Sequence, residues 1–195
     1  MTLVIRYRLH FLILLGASFL LWLANEFDFA FYGLPGALHA TALVFSLRNR
    51  KARWHAVLSL GFILLAVAWN TATAFIALLS SKLWNLVVPN ALDGSLLVIL
   101  ILVTGSAAGA AGYWLLVREF WLKSLGRTDC LRTVVLCVAA TLVSLVLALP
   151  DQSGKDYYAT VLFTVAWWFA FSLSIYWSEM SGQAKKPTPA IVTVS

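Results

Sequence analysis

The chain is 195 residues long, 62% of them hydrophobic and only 11% charged, where soluble domains carry roughly 25% charged residues. That deficit excludes a soluble domain of useful size. It points to an all-α, polytopic membrane helix bundle whose first partners are membrane lipids, with no nucleic-acid partner. The net charge of +6 is less informative than where the charges lie.

Arg6 and Arg8 precede the first apolar run, Leu9 to Ala24. A secretory cleavage site needs small residues, and Trp22 stands at −3 from the one plausible cut, after Ala24, so the segment reads as a retained signal anchor. Asn25-Glu26-Phe27-Asp28 ends it. The second helix runs from Phe29 to Leu47, and Pro35 in its outer part predicts a kink or a late start. It stops at the basic run Arg48-Asn49-Arg50-Lys51-Ala52-Arg53.

The third helix is Trp54 to Leu79, longer than a bilayer core of about 30 Å requires, so it tilts or protrudes. In the connection Ser80 to Asp93, Leu83 to Val88 is apolar but too short to span. It reads as a segment lying in the membrane interface, broken by Pro89-Asn90. The fourth helix, Gly94 to Val117, contains no charged side chain. Its second half is a run of small residues in which Gly105 and Gly109 form a GxxxG pair and Gly112 continues nearly the same face. Such a surface favours close backbone packing in lipid, and the neighbouring helices are expected to press against it.

Arg118 to Arg132 connects to a fifth helix, Thr133 to Leu149, and Pro150 to Gly154 turns the chain. The sixth helix is Tyr157 to Trp177. Residues 1–180 thus form the transmembrane domain, and 181–195, with Lys185-Lys186 and Pro187-Thr188-Pro189, read as a disordered cytoplasmic tail. About six transmembrane helices follow. Of the 14 Lys and Arg residues, all but Lys82 and Lys155 fall on one side of this arrangement, which places both termini in the cytoplasm and suits a bacterial inner (plasma) membrane. Glu26, Asp28, Asp93, Asp151 and Asp156 lie on the opposite, outer side, as an acidic rim or simply as solvated loops.

No Asp, Glu, Lys or Arg falls in the middle of a helix, which speaks against proton-coupled antiport. His39, midway along the second helix, is the ionisable candidate at depth. It is either a ligand-site residue or a hydrogen-bond partner of a neighbouring helix. His10 and His55 lie too near the ends to supply a second axial haem ligand, and a metal set lacks members, so no cofactor and no metal are expected. Asn70, on one stripe with Thr73 and Ala77, must find partners inside the bundle. It reads as interhelical glue or as a polar anchor for a small molecule. Thr104, Ser106, Ser172 and Ser174 share that ambiguity. Of nine tryptophans, Trp54, Trp84, Trp121 and Trp177 sit at interfaces, whereas Trp69, Trp114, Trp167 and Trp168 lie deeper. Deep aromatics pack a core or line a site for an apolar or cationic ligand. Trp167 and Trp168 point about 100° apart, so at most one should face a given pocket. Cys130 and Cys137 lie about 10 Å apart on one helix, too far to bond, and read as inert thiols.

P-loop, HExxH, GxSxG and Cys-x-x-Cys motifs are absent. Intramembrane serine proteolysis would need a histidine after the serine; Thr104-Gly105-Ser106-Ala107 is an imperfect context, and no histidine follows His55. The chain therefore reads as a non-enzyme with no catalytic residue. The first reading is a transport-type or small-ligand-binding bundle with a site at His39, Asn70, Ser106 and Trp168. The second is a non-catalytic accessory or regulatory subunit, docking a protein partner through Gly105, Gly109 and Gly112 or through the basic loops.

Overall fold

A computed structural model describes residues 8, 11–16, 37–44, 55–87, 94–148 and 156–184. Among them there are helices and turns and no strand. Helix α1 covers residues 11–16 and α2 covers 37–44. They are followed by α3 (His55–Val87), α4 (Gly94–Phe120), α5 (Arg127–Ala148) and α6 (Asp156–Ala184). Three stretches, Val57–Val87, Leu96–Phe120 and Arg127–Leu147, are long and apolar enough to cross a bilayer. The expectations for Asn25 to Asp28, Pro35, Arg48 to Arg53, Pro89-Asn90, Asp93, Pro150 to Gly154 and the chain beyond 184 lie outside the described residues.

Consecutive helices pack on one another, α3 on α4, α4 on α5, and α5 on α6. The α3–α4 pair is antiparallel, because contacts move down α4 as they move up α3. An added Cβ at Gly105 would stand 2.9 Å from Ala77 Cβ, and one at Gly109 would stand 3.2 Å from Thr73 Cγ2. At Gly112 it would fall 1.9 Å from Trp69 Cε2, inside the indole. Trp69 therefore lies in the hollow left by a missing side chain, and its Nε1 donates to the Gly109 carbonyl at 3.3 Å. On α3 the matching stripe is Phe62, Ala66, Trp69, Thr73 and Ala77, spaced by three and four residues as one helical face requires.

On α5 the usual polarity is turned inside out. On α5 the buried residues are Thr133, Cys137, Thr141 and Ser144, while Leu131, Val135, Leu142, Val143, Val146 and Leu147 are exposed. Each buried hydroxyl donates to a carbonyl one turn back, Thr133 to Asp129 at 2.7 Å, Thr141 to Cys137 at 2.9 Å and Ser144 to Ala140 at 2.7 Å. These groups are satisfied locally and stay narrow enough for α6 to approach. With its proton on the Asp129 carbonyl, Thr133 Oγ1 accepts across the interface from Ser174 Oγ at 2.6 Å. Exposed leucine and valine outside and hydroxyls within suit a protein whose surroundings are lipid.

Four boundaries differ from the sequence reading. Helix α3 does not stop at Leu79. It runs on to Val87, so Leu83 to Val87 belongs to the long helix rather than to a separate interfacial segment. Ser80 and Ser81 do not break it, because their hydroxyls bond the Ala77 and Leu78 carbonyls, each at 2.6 Å. Trp84 Nε1 then ties this extension to Thr104 Oγ1 at 3.2 Å. Helix α4 extends past Val117 to Phe120, which places Arg118 in its last turn, where the helix dipole favours a cation. Helix α5 begins at Arg127, six residues before Thr133, because Asp129 Oδ2 accepts the Gly126 N–H at 2.9 Å and caps the start. Helix α6 continues to Ala184, so residues 181–184 are helical rather than tail.

Gly112→Ala is expected to displace the Trp69 indole and lower stability by about 1–3 kcal/mol, read as an earlier midpoint in a sodium dodecyl sulfate titration. Gly61→Ala, whose new Cβ meets nothing nearer than 4.0 Å, should leave the midpoint unchanged or raised.

Candidate functional site

Helix α2 is buried over most of its described length, with Ala40, Ala42 and Leu43 fully enclosed. One turn of it carries His39, which is only 1% exposed. Its Nε2 lies 3.1 Å from Ser172 Oγ on α6. The imidazole stacks on Trp168, with ring centroids 3.7 Å apart and planes 24° from parallel. Phe171 and Tyr113 meet it edge-on, at 5.6 Å and 6.1 Å. Trp168, Phe171 and Ser172 lie within one turn of α6, so a single face of that helix supplies the stack, an edge and the hydroxyl.

Tyr113 is the other wall. It stands one turn beyond Gly109 on the small-residue face of α4, and its hydroxyl donates to the Ala66 carbonyl of α3 at 2.9 Å. It meets Trp168 at 4.8 Å with the planes almost perpendicular. Trp167, which the 100° spacing separates from Trp168, still reaches Tyr113 at 6.1 Å, and the two indoles stand at 90° to each other, 4.6 Å apart. Trp167 also stacks on Phe171, at 5.7 Å and 11°. Its Nε1 donates to Ser106 Oγ at 2.9 Å. Both tryptophans are buried, and both meet Tyr113 and Phe171.

His39, Ser106 and Trp168 therefore belong to one connected cluster, reached from α2, α4 and α6. Asn70 is half-buried on α3, one turn beyond Ala66, whose carbonyl takes the Tyr113 hydroxyl. Gly105, Gly109 and Gly112 face α3 of the same chain, so the surface a partner helix would use is covered. Two participants escape a linear reading of the sequence, whereas Ser172 is among the hydroxyls it offers. Tyr113 is marked only by its place on the glycine stripe, Phe171 only by its spacing from Trp167 and Trp168. The row of three hydroxyls and a thiol, Thr133, Cys137, Thr141 and Ser144, is marked by a spacing of four, four and three.

Chemically the cluster is aromatic and holds no Asp, Glu, Lys or Arg. The electron-rich faces of Trp167 and Trp168 attract cations and accept edges of other rings. Ser172 and Ser106 add hydroxyls that turn as donor or acceptor. The charged residues of helices α3 to α6, Lys82, Arg118, Glu119, Arg127, Asp129, Arg132, Asp156 and Glu179, all stand near helix ends. Among the described residues no three His, Cys, Asp or Glu side chains are grouped to hold a metal.

The Trp167–Ser106 bond can be weighed by a double-mutant cycle of Trp167→Phe and Ser106→Ala. The expected coupling is about 0.6 kcal/mol and at most ~1.7 kcal/mol, the range for hydrogen bonds between membrane helices, read from unfolding midpoints of the four proteins. Zero coupling would mean that the indole and hydroxyl do not meet.

No family model matches this chain, and comparison with curated proteins and with solved structures also gave no match.

Proposed function

We propose that this membrane-embedded bundle is a small multi-pass protein of the transport or small-ligand-binding class. The reading takes six spans with both termini in the cytoplasm of a bacterial inner membrane, supported by the one-sided distribution of Lys and Arg. The observation that carries it is His39, an ionisable side chain enclosed at the centre of the bundle, stacked on Trp168 at 3.7 Å and bonded to Ser172. Ionisable groups at such depth are costly and mark sites more often than they serve packing alone. Perpendicular aromatic faces with two hydroxyls and no fixed charge suit an apolar or organic-cation ligand. The acidic residues on the outer side would draw such a cation toward the entrance. Because the helix centres carry no Asp, Glu, Lys or Arg, movement would be facilitated rather than coupled to a carboxylate proton relay.

An accessory-subunit role is the second reading. It is supported by the long exposed row Phe75, Leu78, Leu79, Leu83 and Leu86 on α3, since the glycine face of α4 is already covered. A partner helix or lipid tails would fill that row.

The first reading is tested with tetraphenylphosphonium, an apolar cation, titrated onto the detergent-solubilised full chain. Saturable binding is expected, weakened at least tenfold by Trp168→Leu with helix content unchanged; a tenfold loss corresponds to about 1.4 kcal/mol, within the range for a desolvated cation on an indole. Equal binding by both proteins, or none by the parent, would remove the site from His39 and Trp168.

A further inference from the structure

The end of α4, the link and the start of α5 gather charge at one end of the bundle. From Arg118 to Arg132 they carry four cations, Arg118, Lys123, Arg127 and Arg132, against two carboxylates, Glu119 and Asp129. Both carboxylates are engaged. Glu119 Oε1 lies 3.9 Å from Arg118 Nε, and Asp129 Oδ1 lies 3.6 Å from Arg132 Nη1. Asp129 further accepts the Gly126 N–H and, at 2.8 Å, the Ser178 hydroxyl of α6. Lys123 and Arg127 are exposed, and among the described residues no carboxylate lies within ion-pair distance of either.

This link is held against the bundle. Leu125 is buried beneath it, and Trp121 meets Phe62 edge-on at 5.8 Å. The Arg118 guanidinium lies over the Trp114 ring, 5.5 Å from its centroid, and the Trp114 Nε1 is buried with no hydrogen-bond acceptor. Indole below and guanidinium above mark the level where hydrocarbon gives way to headgroups. Below Arg127 on the same face of α5, one and two turns down, stand Leu131 and Val135, 66% and 57% exposed. A cation without a counter-charge among the described residues thus caps an exposed apolar stripe. That order of charge and grease matches an amphiphile whose phosphate sits at the top and whose acyl chain runs down the helix. A free phosphate would leave the stripe unused.

We propose that the α4–α5 link and the outer face of α5 bind an anionic phospholipid, with its phosphate taken by Lys123 and Arg127 and its acyl chain lying along Leu131 and Val135. The site is separate from the His39 cluster and stands or falls independently of it. Positive charge near an anionic membrane surface contributes roughly 1 kcal/mol per Lys or Arg, about a fivefold change in retention for each.

The test is native mass spectrometry of the full chain in micelles containing equal amounts of palmitoyl-oleoyl phosphatidylglycerol and palmitoyl-oleoyl phosphatidylcholine. The parent should keep phosphatidylglycerol in preference. Lys123→Gln/Arg127→Gln should lose that preference by an order of magnitude or more, with helix content unchanged. Lys82→Gln, at the far end of α3, should keep it. If the double variant does not fold, the parent in 1 M potassium chloride gives the same reading, since screening should erase the preference. The proposal is overturned if the parent retains both lipids equally. It is equally overturned if the double variant keeps the parent's preference, if Lys82→Gln loses as much, or if the preference survives high salt. Displacement of phosphatidylglycerol by inorganic phosphate, but not by chloride at the same low ionic strength, would reassign the cations to a free anion and overturn it too.

Discussion

Everything in this fold depends on how near α4 lets α3 come. Lipid tails are as apolar as leucine, so burying leucine between two helices gains little over leaving it in the bilayer. Association must come from contact density and from hydrogen bonds. Gly105, Gly109 and Gly112 remove the side chains that would hold α3 away, and Ala77, Thr73 and Trp69 fill the space. Once α3 lies that close, the Ala66 carbonyl is within reach of the Tyr113 hydroxyl. Tyr113 then becomes the fixed wall on which Trp167, Trp168, Phe171 and His39 assemble. The glycine contact and the aromatic cluster are thus two ends of one stripe along α4.

The same rule shapes the other side of the molecule. Helix α5 places hydroxyls and a thiol against its neighbours and its branched apolar residues outward. In water this would be an unstable arrangement. In a bilayer it is the favourable one, because small polar side chains allow close approach and complete their hydrogen bonds within their own helix. At the end of that seam Asp129 joins three things at once, the capped start of α5, Ser178 of α6 and the guanidinium of Arg132.

Much of this can be read from the chain alone. Composition identifies the helical membrane class, and the spacing of Gly105, Gly109 and Gly112 identifies the packing face. The lone histidine at depth and the paired tryptophans identify the residues that cluster. What cannot be read is where helices end when no glycine or proline intervenes. Ser80 and Ser81 look like the start of a loop, yet their hydroxyls close on the helix itself. Asp129 looks like a loop charge, yet it caps α5. The hydroxyl seam of α5 escapes notice because apolar periodicity is the usual guide to a buried face, and here the buried face is the polar one. The angle between Trp167 and Trp168 is legible, but not that Tyr113 meets both of them.

The most direct measurement is a disulfide between Ala77→Cys and Gly105→Cys, made with Cys130 and Cys137 replaced by serine and alanine and formed in native membranes under mild oxidation. A Cβ at Gly105 would stand 2.9 Å from that of Ala77, close enough for a bond after a small shift. The account predicts a rapid cross-link within one chain, seen as a faster-migrating monomer that reverts on reduction. Cross-linking only between chains, or none while both introduced thiols remain accessible to a membrane-permeant maleimide, would contradict it.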